Sequence, residues 1–307
     1  MINSMGDINN QNTPLVAIRC ITYNQESYIR DALDGFVMQK TNFPFVAIVH
    51  DDASTDATAD IIREYVEKYP DIIKPIYENE NQYSKPGNPL GKIMQEAIEA
   101  TGAKYVAMCE GDDYWTDPYK LQKQVDFLES HPEYSMCFHG ADVKNESGLE
   151  FKYPNVVNKD YTSSELFDKW IVPTASIVYR ISQIPYPKDN RFISGDIVRV
   201  LYNAKHGKIR GFSERMSVYR VQNNGLTISR LKHPIEHYKR EYYHYKAIYE
   251  YFPEVMLNNV NKKLADTCIN LGVSKLKRYK ISGSMDILYA IILSPSRFIN
   301  RLSNLIK

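Results

Sequence analysis

Apolar and polar positions along the 307-residue chain alternate between two periods, and the switching predicts the order of its elements. Leu15-Val16-Ala17-Ile18-Arg19-Cys20-Ile21 is a nearly unbroken apolar run that stops at Thr22-Tyr23-Asn24, as a buried strand does. Tyr28, Ile29, Ala32, Leu33, Phe36 and Val37 then recur at helical spacing. Residues 45–49 predict a second strand, which runs into His50-Asp51-Asp52-Ala53-Ser54-Thr55-Asp56. Ser54 or Thr55 is placed to cap the next helix, whose apolar positions are Ala59, Ile61, Ile62, Tyr65 and Val66. Residues 72–77 predict a third strand, made irregular by Pro75. After a polar loop over 79–89 and a helix over 90–100, residues 105–109 form another apolar strand. Strands alternating with helices of about ten residues or more predict an α/β fold with a mostly parallel, doubly wound sheet and right-handed crossovers.

Beyond residue 109 the pattern predicts a helix over 118–130, a strand over 134–139, a helix over 163–169 and a strand over 176–179. Ser194-Gly195-Asp196 opens a further helix reaching about Lys205. Residues 210–218 are extended and close at Tyr219-Arg220-Val221-Gln222-Asn223-Asn224-Gly225. From His233 onward the period is helical, in segments near 233–251, 254–277 and 285–306, with Pro295 breaking the last. The polar, Asn-rich residues 1–13 read as a disordered leader. The expected organisation is therefore a leader (1–13), an α/β domain (14–225) and a helical C-terminal region (226–307).

Composition adds little to the fold but constrains the setting. Hydrophobic residues at 43% and charged residues at 24% are ordinary for a globular protein. The 24 tyrosines suit sugar-facing surfaces and protein interfaces equally. The net charge of +1 is uneven: residues 227–307 hold fourteen Lys/Arg against six Asp/Glu, leaving −7 on residues 1–226. A basic end suits an anionic partner such as a membrane surface, or else well-solvated helix faces. Three of the four cysteines, Cys20, Cys109 and Cys137, lie in strand-like apolar runs without metal-ligand spacing, which fits a reducing cytoplasm. No apolar signal-peptide core opens the chain, and the longest late apolar run, 287–293, is too short to span a bilayer. The expectation is a soluble cytoplasmic protein with no nucleic-acid partner. Peripheral contact at the inner face of the membrane is expected through the last helical segment, where Arg297, Arg301 and Lys307 flank apolar pairs.

The chemistry gathers where strands end. The run 105–109 stops at Glu110-Gly111-Asp112-Asp113, three carboxylates within four residues. Carboxylates so close repel one another and are held together by a compensating cation; hard oxygen ligands favour Mg2+ or Mn2+, and with them a phosphate-bearing substrate. Thr22-Tyr23-Asn24, Asp51-Asp52 and Gly195-Asp196 also stand at strand ends or helix starts. Strand ends on one edge of a parallel sheet converge on one crevice, where open α/β sheets bind ligands.

In combination and in this order, Ile21-Thr22-Tyr23-Asn24, Val49-His50-Asp51-Asp52-Ala53-Ser54-Thr55-Asp56, Glu110-Gly111-Asp112-Asp113, Gly195-Asp196 and Tyr219-Arg220 resemble the family 2 glycosyltransferases, over roughly residues 14–225. The resemblance implies the GT-A (Rossmann-like) fold and inverting transfer from a nucleotide-sugar donor to a glycan or glycolipid acceptor, with surface polysaccharide biosynthesis as the setting. It places Thr22, Tyr23 and Asn24 at the start of the nucleotide pocket and Asp52 against a uracil-type base, favouring UDP. Glu110-Gly111-Asp112 occupies the family's DxD position with Glu in place of the first Asp. Asp112 becomes the expected metal ligand, Asp113 its support, Arg220 a phosphate partner and Asp196 the catalytic base. Gln222 stands where many relatives carry a histidine. Two other readings compete. A sugar-phosphate nucleotidyltransferase needs a Gly-rich basic loop after the first strand, where this chain has Thr22-Tyr23-Asn24-Gln25-Glu26. A non-catalytic nucleotide-sugar-binding scaffold is compatible with the Glu110 and Gln222 departures.

Overall fold

The computed structural model describes residues 13–85, 87–146, 151–182, 186–222, 233–255, 257–278 and 281–306. The expected leader, Thr13 apart, the turn at 223–225 and the boundary expected after residue 225 lie outside the described residues. The elements run β1 (Val16–Thr22), α1 (Ile29–Val37), β2 (Phe45–Asp51), α2 (Thr58–Lys68), β3 (Ile73–Tyr77), α3 (Leu90–Ala100), β4 (Tyr105–Met108), β5 (Tyr114–Trp115), α4 (Lys120–Ser130) and β6 (Tyr134–Asn145). They continue with β7 (Lys159–Tyr161), α5 (Ser163–Asp168), β8 (Val178–Arg180), α6 (Gly195–His206), β9 (Lys208–Val221), α7 (Pro234–Tyr251), α8 (Leu257–Leu276), α9 (Gly283–Leu293) and α10 (Pro295–Ile306).

One nine-stranded sheet has the order β3-β2-β1-β4-β8-β6-β9-β5, with β7 on β9. Its first four strands are parallel, as expected. Beyond them the sheet is mixed: β8 enters antiparallel between β4 and β6, while β6 and β9 pair in parallel. The nearly unbroken apolar run of β1 and the unbroken one of β4 follow from burial on both faces. On one face Val16, Ile18 and Cys20 meet Leu33 and Phe36 of α1 and Ile62 of α2. On the other, Ala17, Val106 and Met108 meet Met94 and Ile98 of α3. Each large side chain so buried contributes roughly 1.5–3 kcal/mol. All four cysteines are buried and unbridged.

Several expectations change in detail. Pro75 does not disturb its strand, because β3 is an outer strand paired only with β2 and a missing N–H is tolerated on an edge. Neither Ser54 nor Thr55 caps α2; Asp56 does the work, its Oδ1 accepting from the Thr58 N–H at 3.0 Å. β9 is longer than the 210–218 pattern implied, and its register against β6 slips at His139/Gly140. The helical region packs on the α/β part through α6, whose Val198, Leu201 and Tyr202 meet Ile248, Phe252, Val260 and Leu264 of the segment from α7 to α8. No helix among the described residues is long and apolar enough to cross a membrane.

Candidate functional site

The carboxyl ends of β1 and β2 both turn through the left-handed region: Asn24 has φ 52° and Ala53 has φ 62°. For alanine this conformation costs roughly 1–2 kcal/mol, which the surrounding bonds must offset. The Asn24 Oδ1 accepts from the Thr55 N–H at 2.8 Å, and the Asn24 N–H donates to Ser54 Oγ at 2.9 Å. The Asp52 carboxylate accepts from the Gln82 N–H at 2.6 Å and the Tyr83 N–H at 3.1 Å. Asp52 is only 1% exposed, and its carboxylate anchors the 82–83 segment over the strand ends. Tyr23 remains 46% exposed at the rim. Among the described residues Thr22 Oγ1, Gln25 Oε1 and Asp51 Oδ1 are buried polar atoms without a hydrogen-bond partner. Two of them face Gly111, where a Cβ would come within 2.5 Å of Gln25 Oε1 and 2.9 Å of Thr22 Oγ1. Buried polar groups are normally satisfied, so this cluster marks a place built to receive hydrogen bonds.

The three acids after β4 have different partners. Glu110 takes the Arg19 guanidinium at 2.6 Å on one oxygen and the Ile21 N–H at 3.0 Å on the other. Asp113, 3% exposed, accepts from the Arg220 N–H at 2.9 Å. Asp112 accepts from the Gln222 side-chain amide at 2.8 Å through Oδ2. Burial, with the charge of Glu110 beside it, pushes the Asp112 carboxyl up to about 6. Burial and Asp112 together also raise Asp113. Such groups want a cation. Among the described residues no three His, Cys, Asp or Glu gather into a self-sufficient metal site. Asp112 is the residue of the turn that would hold a divalent ion, whose charge would offset the crowded carboxylates. Asp113 is turned inward onto the Arg220 N–H, and both oxygens of Glu110 are engaged within the protein.

Arg220 is engaged within the protein as well. Its side chain is buried, donates to the Asp112 carbonyl at 2.9 Å, pairs with Asp31 of α1, and lies over the rings of Tyr28 and Tyr114. That makes it a brace tying β9 to α1 and to the acidic turn. Trp115 is buried as well, its Nε1–H donating to the Ala175 carbonyl at 2.8 Å.

Asp196 occupies the first turn of α6, where the helix dipole favours a carboxylate, and the Thr174 hydroxyl donates to its Oδ2 at 2.6 Å. It shares a field with the acidic turn. Burial lowers the Arg19 pKa, but Glu110, Tyr179 and Asp196 more than offset it, so the guanidinium stays charged. Tyr153 is raised by burial first, and then by charges that include both Asp113 and Asp196. Sequence reasoning missed Arg19, Thr174 and the Gln222–Asp112 bond. Arg19 left a signal, being the one charged residue inside an otherwise apolar run; Thr174 left none.

The family model described as Glycosyl transferase family 2 matches residues 18–184, more than half of the chain and nearly all of the segment that carries β1 to β8. The chain belongs to that family. Among curated relatives, the uncharacterized protein Rv1520 of Mycobacterium tuberculosis is 39% identical over 213 residues, covering 69% of this chain and 60% of its own length. This chain thus spans about three-fifths of that mycobacterial relative. The putative teichuronic acid biosynthesis glycosyltransferase TuaG of Bacillus subtilis is 26% identical over 71% of this chain and 84% of its own. Among solved structures, S. aureus TarS 1–349 in complex with UDP-GlcNAc superposes with TM-score 0.62 at 18% identity, over 90% of this chain and 79% of that one. The mannosyltransferase PcManGT from Pyrobaculum calidifontis, with GDP-Man and Mn2+, gives TM-score 0.55 at 15% identity, over 94% and 83%. At these identities the structures establish the shared GT-A fold.

Proposed function

We propose that this family 2 chain transfers a sugar from a nucleotide-diphosphate donor, with UDP favoured, to a hydroxyl of a glycan or glycolipid acceptor, inverting the anomeric centre. The observation that carries the reading is a set of carboxylates held on two elements: the acidic turn beyond β4, with Glu110 on Arg19 and Asp112 on Gln222, and Asp196 at the start of α6, held by Thr174, whose charge also reaches Arg19. The unpartnered Thr22, Gln25 and Asp51 atoms would receive the nucleoside end of the donor. Asp112 would hold the diphosphate through Mn2+ or Mg2+, which when bound neutralises charge on the leaving group. TarS supports a UDP-sugar and PcManGT supports a divalent metal, while TuaG supports a polysaccharide setting.

Asp196 is the base. As an acceptor oxygen attacks the anomeric carbon and the sugar–phosphate bond breaks, the hydroxyl proton passes to the Asp196 carboxylate and the nucleoside diphosphate leaves. The Thr174 hydroxyl keeps one carboxylate oxygen oriented, leaving the other for the proton. A single displacement gives inversion, by the same geometry that governs inverting glycosidases. The test is Asp196→Asn in the purified protein, offered UDP-, GDP- and dTDP-sugars with Mn2+. Transfer should fall by about a hundredfold or more while donor binding by calorimetry stays within about twofold. Full transfer by the variant would remove Asp196 from the reaction. Donor binding with no transfer by either protein would favour the scaffold reading.

A further inference from the structure

The C-terminal helices leave an apolar face that the fold does not cover. α8 and α9 run at backbone contact: a Cβ on Gly272 would lie 2.6 Å from the Gly283 carbonyl, and one on Gly283 would lie 2.5 Å from the Gly272 carbonyl. That close crossing, with Ala290 seated against Ala265, Cys268 and Ile269, uses up the inner side of α9. Only Gly283 and Ala290 of its 11 residues are buried. The outer side carries Met285 at 66% exposure, Leu288 at 51% and Ile292 at 69%, and Ile281, at 85%, precedes them at the same helical spacing. Ile299 of α10, at 63%, stands on the next helix. A helix that is apolar on nearly every side is ordinarily buried, yet this one has its bulky residues in water.

The charge around this face identifies its occupant. Residues 257–307 hold nine Lys/Arg against two Asp/Glu. Both acids already have partners on the protein: Asp286 pairs with Lys275, and Asp266 with Arg297. Lys277 and Arg278 stand exposed at the end of α8, immediately before Ile281 in the chain direction. A second copy of this chain would set one strongly basic surface against another. An anionic lipid surface satisfies both features, taking the apolar side chains at the acyl boundary and the lysine and arginine groups among the headgroups. At 11 residues α9 is about 16 Å long, too short to span, so it must lie in the plane of the interface.

We propose that the face formed by Ile281, Met285, Leu288 and Ile292, with Lys277 and Arg278 beside it, docks this chain on the surface of an anionic lipid bilayer. The docking is independent of the catalytic reading. It is tested by vesicle flotation of the full chain with phosphatidylcholine alone and with about 30% phosphatidylglycerol. Binding should require the anionic lipid and weaken as salt is raised. Met285→Ser/Leu288→Ser/Ile292→Ser should reduce the bound fraction by about tenfold or more, since each loses apolar area at the acyl boundary. Lys277→Glu/Arg278→Glu should remove the dependence on phosphatidylglycerol. Unchanged melting of both variants shows that the fold survives, because every substituted side chain is exposed. Equal flotation of the triple variant would overturn the proposal. So would failure of the parent chain to bind, including the case in which light scattering shows a dimer that the triple variant dissolves.

Discussion

Lys120→Met probes the support beneath the acidic turn. Lys120 begins α4, is fully buried, and sets its Nζ 4.2 Å from the centre of the Trp115 ring. Among the described residues that nitrogen has no hydrogen-bond partner. Cys109, Cys137, Asp117 and His139 surround it electrostatically, and the nearby Gln124 Oε1 and His139 Nε2 are also unpartnered. Burial pulls the lysine from 10.5 down to about 7, against weaker upward pulls from Cys109, Cys137 and Asp117. The unfolded chain keeps this proton to about pH 10.5, so between pH 7 and 10.5 it binds more protons than the folded chain does. Stability therefore rises with pH across that window, and falls by about 5 kcal/mol from its top to its bottom.

Methionine keeps the flexible stem against Trp115 and removes the charge. The variant should therefore be about 4–5 kcal/mol more stable at pH 7, with the advantage shrinking toward zero near pH 10. Urea unfolding of both proteins at pH 7, 8 and 9, with equal m-values, measures the difference directly. A variant less stable than the parent at pH 7, or a gap that does not change with pH, would refute the reasoning. It would mean that the amine stays charged and is satisfied inside the protein, by internal water shared with Gln124, His139 and Ser217.

Three further outcomes follow from the site. Asp112→Asn should cut turnover by about two to three orders of magnitude and weaken the Mn2+ dependence of donor binding, read by steady-state kinetics and calorimetry. Gly111→Ala must displace Gln25 and the Thr22 side chain, whose Cβ would be 2.8 Å from the new carbon. It should cost about 1–3 kcal/mol in a thermal melt and raise the donor KM. Arg220→Met should cost about 2–3 kcal/mol by urea midpoint, because it strands the Asp112 carbonyl; Asp31, half exposed, returns to solvent without a large penalty.

Much of the fold was legible because β1, β2 and β4 are covered by helices on both faces, which forces apolar runs too regular to miss. In the mixed half the strands that became β6, β8 and β9 were legible, but their pairing was not. β5 is two residues long and has no period of its own, and it exists only because Tyr114 and Trp115 pair with Val218 and Ser217 of a strand a hundred positions later. β8 spans three residues, Val178–Arg180, and its antiparallel place between β4 and β6 is a long-range choice that local pattern does not encode. The positions of Asp52, Glu110, Asp112, Asp113 and Asp196 at element ends could be read from the chain, whereas the partners that decide what each acid can do could not.

Those partners change the meaning of the acidic turn. Three carboxylates in four residues suggest a shared cation, yet Glu110 is held by Arg19 and the Ile21 N–H, and Asp113 by the Arg220 N–H. Two of the three charges are thus managed inside the protein, each by a residue far away in sequence. Asp112 is left with one oxygen on Gln222 and a carboxyl raised by burial and by Glu110. A divalent ion bound there would rest on one protein carboxylate, and its affinity would come chiefly from the diphosphate that accompanies it. Metal and donor should then bind as a unit. Titrating Mn2+ into the protein without a nucleotide should give affinity at least about tenfold weaker than with UDP present, and equal affinities would place a second protein ligand in the site.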